Sequence, residues 1–516
     1  MTDRCDRVCH AGGDRSETDQ TMTGQTQATT VGQLPTPDGE DSRVAATLTR
    51  LVWVLCVASI GVLALRLRGG GPWELDGLVA VDGLTAVMWV TVTFVSGIVH
   101  SYSRRYMAGN RTIDRFFGRV FAFTLIVMVL VAADALALFV AAWLAMGLVM
   151  ADLIGHVDGW PQARAAAALS RRYFLASTGA LAVALGTLWW HTGATTVSGV
   201  ASALGEASGT VVLFVATALV LAAMIQSALV PFHTWLVSSM TAPTPASALM
   251  HAGFVNAGGV LLVRFAPVVT VDSAFMLAVA VVGATSALSG KLLKTVRADV
   301  KGKLGCSTVG QMGFMIMQAG LGFFGAAVTH LILHGFYKGY QFLSSGSQVA
   351  HESPKSTTAT SSAGPLGAVV VAATALAGGV LFAALTGKGT KLDSGLVLTL
   401  LVVLTVLHAA RDLVTRSALP ASVRYGAVPL VALPAIGIYA AVYETIEGLL
   451  GGLPGVGATA ELTVAHGLIA AAFVATYLAI ERGAYKHSQR LYVVLLNATQ
   501  PPSETQLTAT EEYNEY

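Results

Sequence analysis

Apolar runs of roughly twenty residues, cut by short polar or charged segments, recur along almost the whole chain. A bilayer core about 30 Å thick needs roughly 20 apolar residues per helical crossing. The pattern predicts spans near 45–66, 83–101, 116–133, 135–155, 172–191, 209–237, 245–268, 273–292, 305–321, 323–348, 365–386, 395–414, 424–446 and 461–481. That makes an all-α polytopic membrane protein with about fourteen transmembrane helices. Residues 1–43 are polar and lack an apolar core segment, so they predict a disordered tail rather than a signal peptide. Residues 44–497 read as one transmembrane domain, and 498–516 as an acidic, mobile tail.

Two stretches break the apolar rhythm. The run 209–237 is too long for one straight crossing and contains Pro231, which removes a backbone donor and clashes with the preceding turn. It predicts a discontinuous helix broken near Val230–His233. Residues 381–393 carry Gly387, Lys388, Gly389 and Lys391 and predict a second break, here from glycines and polar residues. Broken helices at matching places in two halves point to an inverted-repeat transporter fold, with halves near 116–268 and 273–414.

Composition and charge narrow the class. The chain is 54% hydrophobic and 12% charged, with net charge +2. Soluble proteins carry about 25% charged residues, and so small a net charge gives no footprint for nucleic acid. Lys and Arg concentrate in alternate loops, among them Arg104, Arg105, Arg111, Arg115, Arg164, Arg171 and Arg172. By the positive-inside rule these loops and both termini are cytoplasmic. No nucleotide-binding loop, His-Glu-x-x-His zinc pattern, dinucleotide fingerprint or haem spacing is present. The four cysteines show no metal-ligand spacing. Energy then comes from an ion gradient or a partner.

Titratable groups inside apolar spans are costly and mark candidate ion paths. His330, His334 and Lys338 repeat every four residues, on one helical stripe. Neutral imidazoles donate, accept and titrate near neutrality, so the stripe can relay protons. The alternative is that both histidines only bond a neighbouring helix while Lys338 reaches for the surface. His251 sits among Ala248, Ala252 and Gly253, close after Pro231 and His233. Gln226 can orient water but does not titrate. Asp152 is the deeper of two candidate acids, with Asp134 at a turn. Asp299, Lys301 and Lys303 read as a solvated cytoplasmic loop. Ser307, Thr308, Gln311 and Gln318 read either as part of a polar path or as ordinary interhelical bonds.

Three stretches carry a family resemblance: Gln226-Ser-Ala-Leu-Val-Pro-Phe-His-Thr-Trp-Leu, Ala-Pro-Thr-Pro-Ala-Ser-Ala-Leu-Met-His251-Ala and His334-Gly-Phe-Tyr-Lys338. Over about residues 80–415 the chain resembles the antiporter-like membrane subunits of respiratory complex I and the Mrp antiporters. The resemblance assigns His251, His330, His334 and Lys338 to proton translocation and places Lys388 or Lys391 near a second broken-helix lysine. Two positions depart from the family. Trp143-Leu144 stands where Trp-Glu is usual, and Gln226 where a lysine is usual, so the first-half path looks altered or lost. The chain also ends soon after its last span, without the long lateral helix of the complex I subunit.

With Ser-Tyr-Ser-Arg104-Arg105-Tyr-Met-Ala-Gly, these departures look most like the DabB branch, the membrane subunits of two-component inorganic carbon transporters. That resemblance implies a non-enzymatic, cation-conducting subunit in the plasma membrane and no cofactor in this chain. It also implies a DabA-like, zinc-containing partner resembling β-carbonic anhydrase. A complex I or hydrogenase subunit and a stand-alone antiporter are the rival expectations.

Overall fold

The computed structural model describes residues 42–75, 77–348, 364–416, 421–457 and 461–505. Most of the polar N-terminal tail, the acidic end from 506 and Lys355 lie outside the described residues. The chain opens with α1 (Arg43–Leu67), then a hairpin of β1 (Trp73–Leu75) and β2 (Val79–Val81) that hydropathy did not predict. There follow α2 (Gly83–Tyr106), α3 (Ile113–Ala132), α4 (Leu136–Ile154), α5 (Pro161–Thr192), α6 (Val197–Ala203), α7 (Gly209–Gln226) and α8 (Thr234–Ser238). Next come α9 (Thr244–Ala252), α10 (Ala257–Arg264), α11 (Ala266–Val269), α12 (Ser273–Val296), α13 (Val300–Gly320) and α14 (Phe324–Leu343). The last group is α15 (Pro365–Thr386), α16 (Gly395–Arg416), α17 (Ala421–Leu450), α18 (Val464–Glu481), α19 (Ala484–His487) and α20 (Gln489–Ala498).

Every predicted span contains helix, and two of them are interrupted. Among the described residues, 11 helices are long and apolar enough to cross a membrane, and Gly395–Arg411 is a shorter apolar one. The helices at 305–321 and 323–348 fall outside that group; they carry the candidate polar groups. Helix starts follow short polar side chains: Asp82, Ser208, Asp272 and Asp299 each accept a first-turn backbone N–H. Small residues let helices touch. A Cβ on Gly283 would sit 2.3 Å from the Met317 nitrogen, and one on Gly290 2.2 Å from that of Gly310, so α12 and α13 pack backbone to backbone.

The first predicted break is present and slightly wider than expected. α7 stops at Gln226, residues 227–233 form turns, and α8 resumes at Thr234. Its freed backbone groups find partners, as depth in a membrane demands. The Val230 N–H donates to Ser286 Oγ (3.2 Å), Trp235 Nε1 donates to the Ile225 carbonyl (2.9 Å), and Ser227 Oγ donates to the Val255 carbonyl (2.6 Å).

The second predicted break is not a break within a span. Gly387 and Gly389, both with positive φ, lie in the turn between α15 and α16. The two helices run back along each other: Gly379 faces Val403 and Gly378 faces Val406. Glycine at positive φ ends a helix as readily as it interrupts one, and the two patterns share one sequence signature. The span 245–268, by contrast, is interrupted. α9 ends at Ala252, a 3₁₀ turn covers Phe254–Asn256, and α10 begins at Ala257. Asn256 Nδ2 donates to the freed Ala252 carbonyl (2.8 Å).

Residues 498–505 are not a loose tail. The Ala498 carbonyl lies 3.0 Å from His233 Nε2, the Thr499 carbonyl accepts from Arg297 (3.3 Å), and Thr505 is buried against Ser238. The polar letters of this segment hide that its backbone carbonyls meet His233 at the first break and Arg297 between α12 and α13.

Candidate functional site

The buried row on α14 is real as geometry. His334 and Lys338 are buried and His330 is half-buried, while Leu333, Phe336, Tyr337 and Tyr340 are exposed. Spacing of four residues makes this stripe, and 1.5 Å of rise per residue puts His330 and Lys338 about 12 Å apart along the axis. The His330 and His334 rings lie 5.7 Å apart and near parallel, at 12°. Lys338 is 1% exposed, and its Nζ donates to the Leu304 carbonyl of α13 at 3.1 Å.

His251 joins this row from α9. It is fully buried, its Nδ1 lies 3.0 Å from Thr308 Oγ1 on α13, and its ring stacks on Phe342 of α14 at 4.3 Å. The interrupted span makes the meeting possible. Gly335 lets α14 cross directly over the end of α9, where a Cβ would come 2.7 Å from the Ala252 carbonyl oxygen. Thr308 is therefore a partner of the row, and Gln311 and Gln318 line the next part of it.

At its other end the row meets a cleft. His330 opens into a space of about 470 Å³ between α13, α14, α16 and α17, with Gln311, Gln318, Thr405 and Tyr439 among largely apolar walls. Among the described residues, both ring nitrogens of His334, the Nε2 atoms of His330 and His251, Gln318 Oε1 and both side-chain atoms of Gln226 are buried without a protein hydrogen-bond partner.

The other predicted residues are elsewhere. Gln226 is the last residue of α7, at the first break, and Pro231 stands within that break, exposed. Asp152 is not deep. It lies in the last turn of α4, its side chain 44% exposed, bonded to Arg171 at 2.8 Å and near Arg119. Lys388 sits in the α15–α16 turn, 3.0 Å from Glu447 Oε1 of α17 and over the rings of Phe323 and Tyr443. Lys391, in the same turn, is exposed. Asp134 is at the expected turn, accepting from the Ser198 N–H and hydroxyl.

Lys301 corrects the solvated-loop expectation. Its Nζ donates to the carbonyls of Ala242 (2.8 Å) and Met240 (3.4 Å), tying the start of α13 to the segment before α9. Asp299 caps α13 and pairs with Arg297. Lys301, Leu304 and Thr308 share one face of α13, the face that meets Lys338 and His251. A second cluster escaped sequence reasoning altogether. Lys291 Nζ lies 3.1 Å from His408 Nε2, His408 Nδ1 is 3.7 Å from Glu481, and Arg411 pairs with the same carboxylate. Only tertiary packing brings α12, α16 and α18 together here.

In the first half, Trp143 Nε1 donates to Ser177 Oγ (3.1 Å), which donates to the Ala222 carbonyl (2.9 Å). Leu144 beside it offers no acid. Among the described residues no three His, Cys, Asp or Glu side chains converge as metal ligands would.

Broken helices and a buried imidazole–amine row define a polytopic membrane subunit of the antiporter-like class. Residues 133–412 match the family model described as NADH:quinone oxidoreductase/Mrp antiporter, TM, and the chain belongs to that family. Residues 71–117 match the complex I chain 5 N-terminus model. The probable inorganic carbon transporter subunit DabB1 of Halothiobacillus neapolitanus is 40% identical over 286 residues, 54% of this chain and 51% of that protein. DabB of Bacillus subtilis is 38% identical over 313 residues, 59% of each. NADH-quinone oxidoreductase subunit L of Mycobacterium tuberculosis is 34% identical over 285 residues, 54% of this chain and 44% of that protein. The chain spans about half the length of the curated relatives it matches. The solved Mrp complex of a Dietzia species shares the fold, with TM-score 0.53 and 21% identity over 91% of this chain and 52% of that one.

Proposed function

We propose that this chain is the proton- or sodium-conducting membrane subunit of a two-component assembly that accumulates inorganic carbon. Its partner is a large, zinc-containing subunit of DabA type resembling β-carbonic anhydrase. The chain lies in the plasma membrane with both termini cytoplasmic, as the Lys/Arg bias of its loops indicates. The observation that carries the reading is the row of buried His334, Lys338 and His251 with half-buried His330 at its end. Imidazole nitrogens with no protein partner are groups that water or a transiting proton satisfies. The cleft at His330 admits the ion, the two stacked rings pass it on, and the Lys338 amine holds it against the Leu304 carbonyl. Thr308 orients His251 as the next acceptor. With Gln226 and Leu144 in place of titratable groups, the first half contributes the broken-helix framework and, of the row, His251 alone.

The identity to the DabB proteins supports the carbon-accumulation assignment over others in the family. The test is purification of the tagged chain from its native membrane. Copurification of a large zinc-binding protein, with rescue of growth at low CO2 only when both genes are expressed, is the expected result. The likeness to NADH-quinone oxidoreductase subunit L favours a second reading, a subunit of a redox complex. Copurification with iron–sulfur subunits would establish that one and overturn the first. Ion exchange in vesicles holding this chain alone would instead identify a stand-alone antiporter.

A further inference from the structure

At the ends of α3, α4 and α5 that the Lys/Arg bias places in the cytoplasm lies a cleft of about 240 Å³ that the ion path does not use. Four guanidinium groups, Arg115, Arg119, Arg164 and Arg171, and two carboxylates, Asp152 and Asp158, line it. Arg115 pairs with Asp158 at 2.7 Å and Arg171 with Asp152 at 2.8 Å. Arg119 is largely buried, donates to the Asp152 carbonyl at 3.1 Å and stands 3.8 Å from its carboxylate. Arg164 has no carboxylate partner among the described residues. The lining therefore carries two positive charges more than its acids neutralise. Small residues, Gly155, Ala167 and Ala168, keep the floor open.

The surroundings say what kind of anion fits. One helical turn towards the membrane from Asp152 on α4 lies Leu148, and one turn from Arg171 on α5 lies Leu175; they are 37% and 49% exposed. A charged cleft that continues into an exposed apolar wall matches a ligand with an anionic head and hydrocarbon chains. Guanidinium forks suit phosphate oxygens, and basic pockets between helix ends on this side of a membrane suit lipid headgroups. We propose that the cleft binds an anionic phospholipid, its phosphodiester among Arg115, Arg119, Arg164 and Arg171 and its acyl chains along Leu148 and Leu175. Arg164 and Arg119 supply the charge that protein carboxylates leave uncompensated. The bound lipid joins three helices of the first half at one cytoplasmic corner.

The full chain, in nanodiscs of phosphatidylcholine with or without phosphatidylglycerol, provides the test. Native mass spectrometry counts retained anionic lipid, and thermal unfolding reads the stabilisation it gives. Arg164→Gln should weaken phosphatidylglycerol retention about fivefold while leaving the midpoint in pure phosphatidylcholine unchanged. Arg164→Lys, which keeps the charge and loses the fork, should fall between the two. Lys303→Gln, at an exposed lysine outside the cleft, should match the unaltered protein. Equal retention in Arg164→Gln, or an equal loss in Lys303→Gln, overturns the proposal. So does protection by inorganic phosphate alone equal to that by the lipid, which would mean a soluble-anion site. Displacement of the lipid by a copurifying acidic protein would reassign the cleft as a partner interface and overturn it as well.

Discussion

Replacing Lys338 separates the ion-path role from a structural one, because the two predict opposite balances of stability and activity. Lys338→Met keeps the aliphatic stem and removes the amine. Structurally it loses one bond, Nζ to the Leu304 carbonyl, worth about 1 kcal/mol net. It also ends the burial of a group whose charged form costs several kcal/mol to desolvate. The thermal midpoint should therefore hold or rise. Conduction should collapse. Without the amine a proton crossing this stretch has no base to rest on, and a buried charge left without a partner costs about 3–5 kcal/mol, which is roughly 10² to 10⁴-fold in rate at 1.36 kcal/mol per decade. The assay is proton flux into proteoliposomes holding the chain with its copurifying partner, driven by a potassium diffusion potential and read with an internal pH dye. Lys338→Arg keeps the positive charge but cannot give up its proton, so it should block flux too. Lys338→Ala is the wrong probe, since the cavity alone costs about 2–5 kcal/mol. Wild-type flux in a folded Lys338→Met protein would refute the amine as an obligatory stop. Wild-type flux in Lys338→Arg would leave it a fixed charge rather than a proton carrier.

Three further outcomes are expected. Ser286→Ala strips the partner from the Val230 N–H at the first break and should lower stability by about 1–3 kcal/mol; an unchanged unfolding midpoint would show that the break is held elsewhere. Truncation after Asn497 removes the contacts of Ala498, Thr499 and Thr505 with His233, Arg297 and Ser238. Hydrogen exchange at 227–241 should then quicken, and exchange at the unaltered rate would deny the segment its role as a clasp. His156, in the loop after α4, has its pKa lowered to about 4, first by burial and then by Arg119 and Arg115. The unfolded chain takes up that proton near 6.5, so it binds more protons than the folded one between those values, and stability falls as pH drops from about 6.5 towards 4. His156→Gln should flatten that part of the pH dependence of the unfolding midpoint; an identical slope would exclude His156 as its source.

Much of this was legible in the letters, for physical reasons that differ by element. Apolar run length fixes helix existence, because the bilayer imposes it, and Pro231 marks the first break because the lost donor is a property of the residue itself. The stripe of His330, His334 and Lys338 follows from a spacing of four within one helix. What fails to show is whatever depends on a partner far along the chain. Asp152 looks intramembrane by position, yet Arg119 and Arg171 claim it at the surface. Lys301 looks solvated in a run of charges, yet two carbonyls about sixty residues earlier fix it. Gly387 and Gly389 look like a break, yet the same residues close an antiparallel turn. The site itself divides along this line. Its titratable groups lie on α14 and α9 and announce themselves by type. The groups that orient them, Thr308 and the Leu304 carbonyl, belong to α13. One is an ordinary helix threonine and the other a backbone oxygen, so neither residue type carries a signal. The interruption after Ala252 brings the two sets together, and Gly335 on α14 marks it in the sequence once the crossing is known.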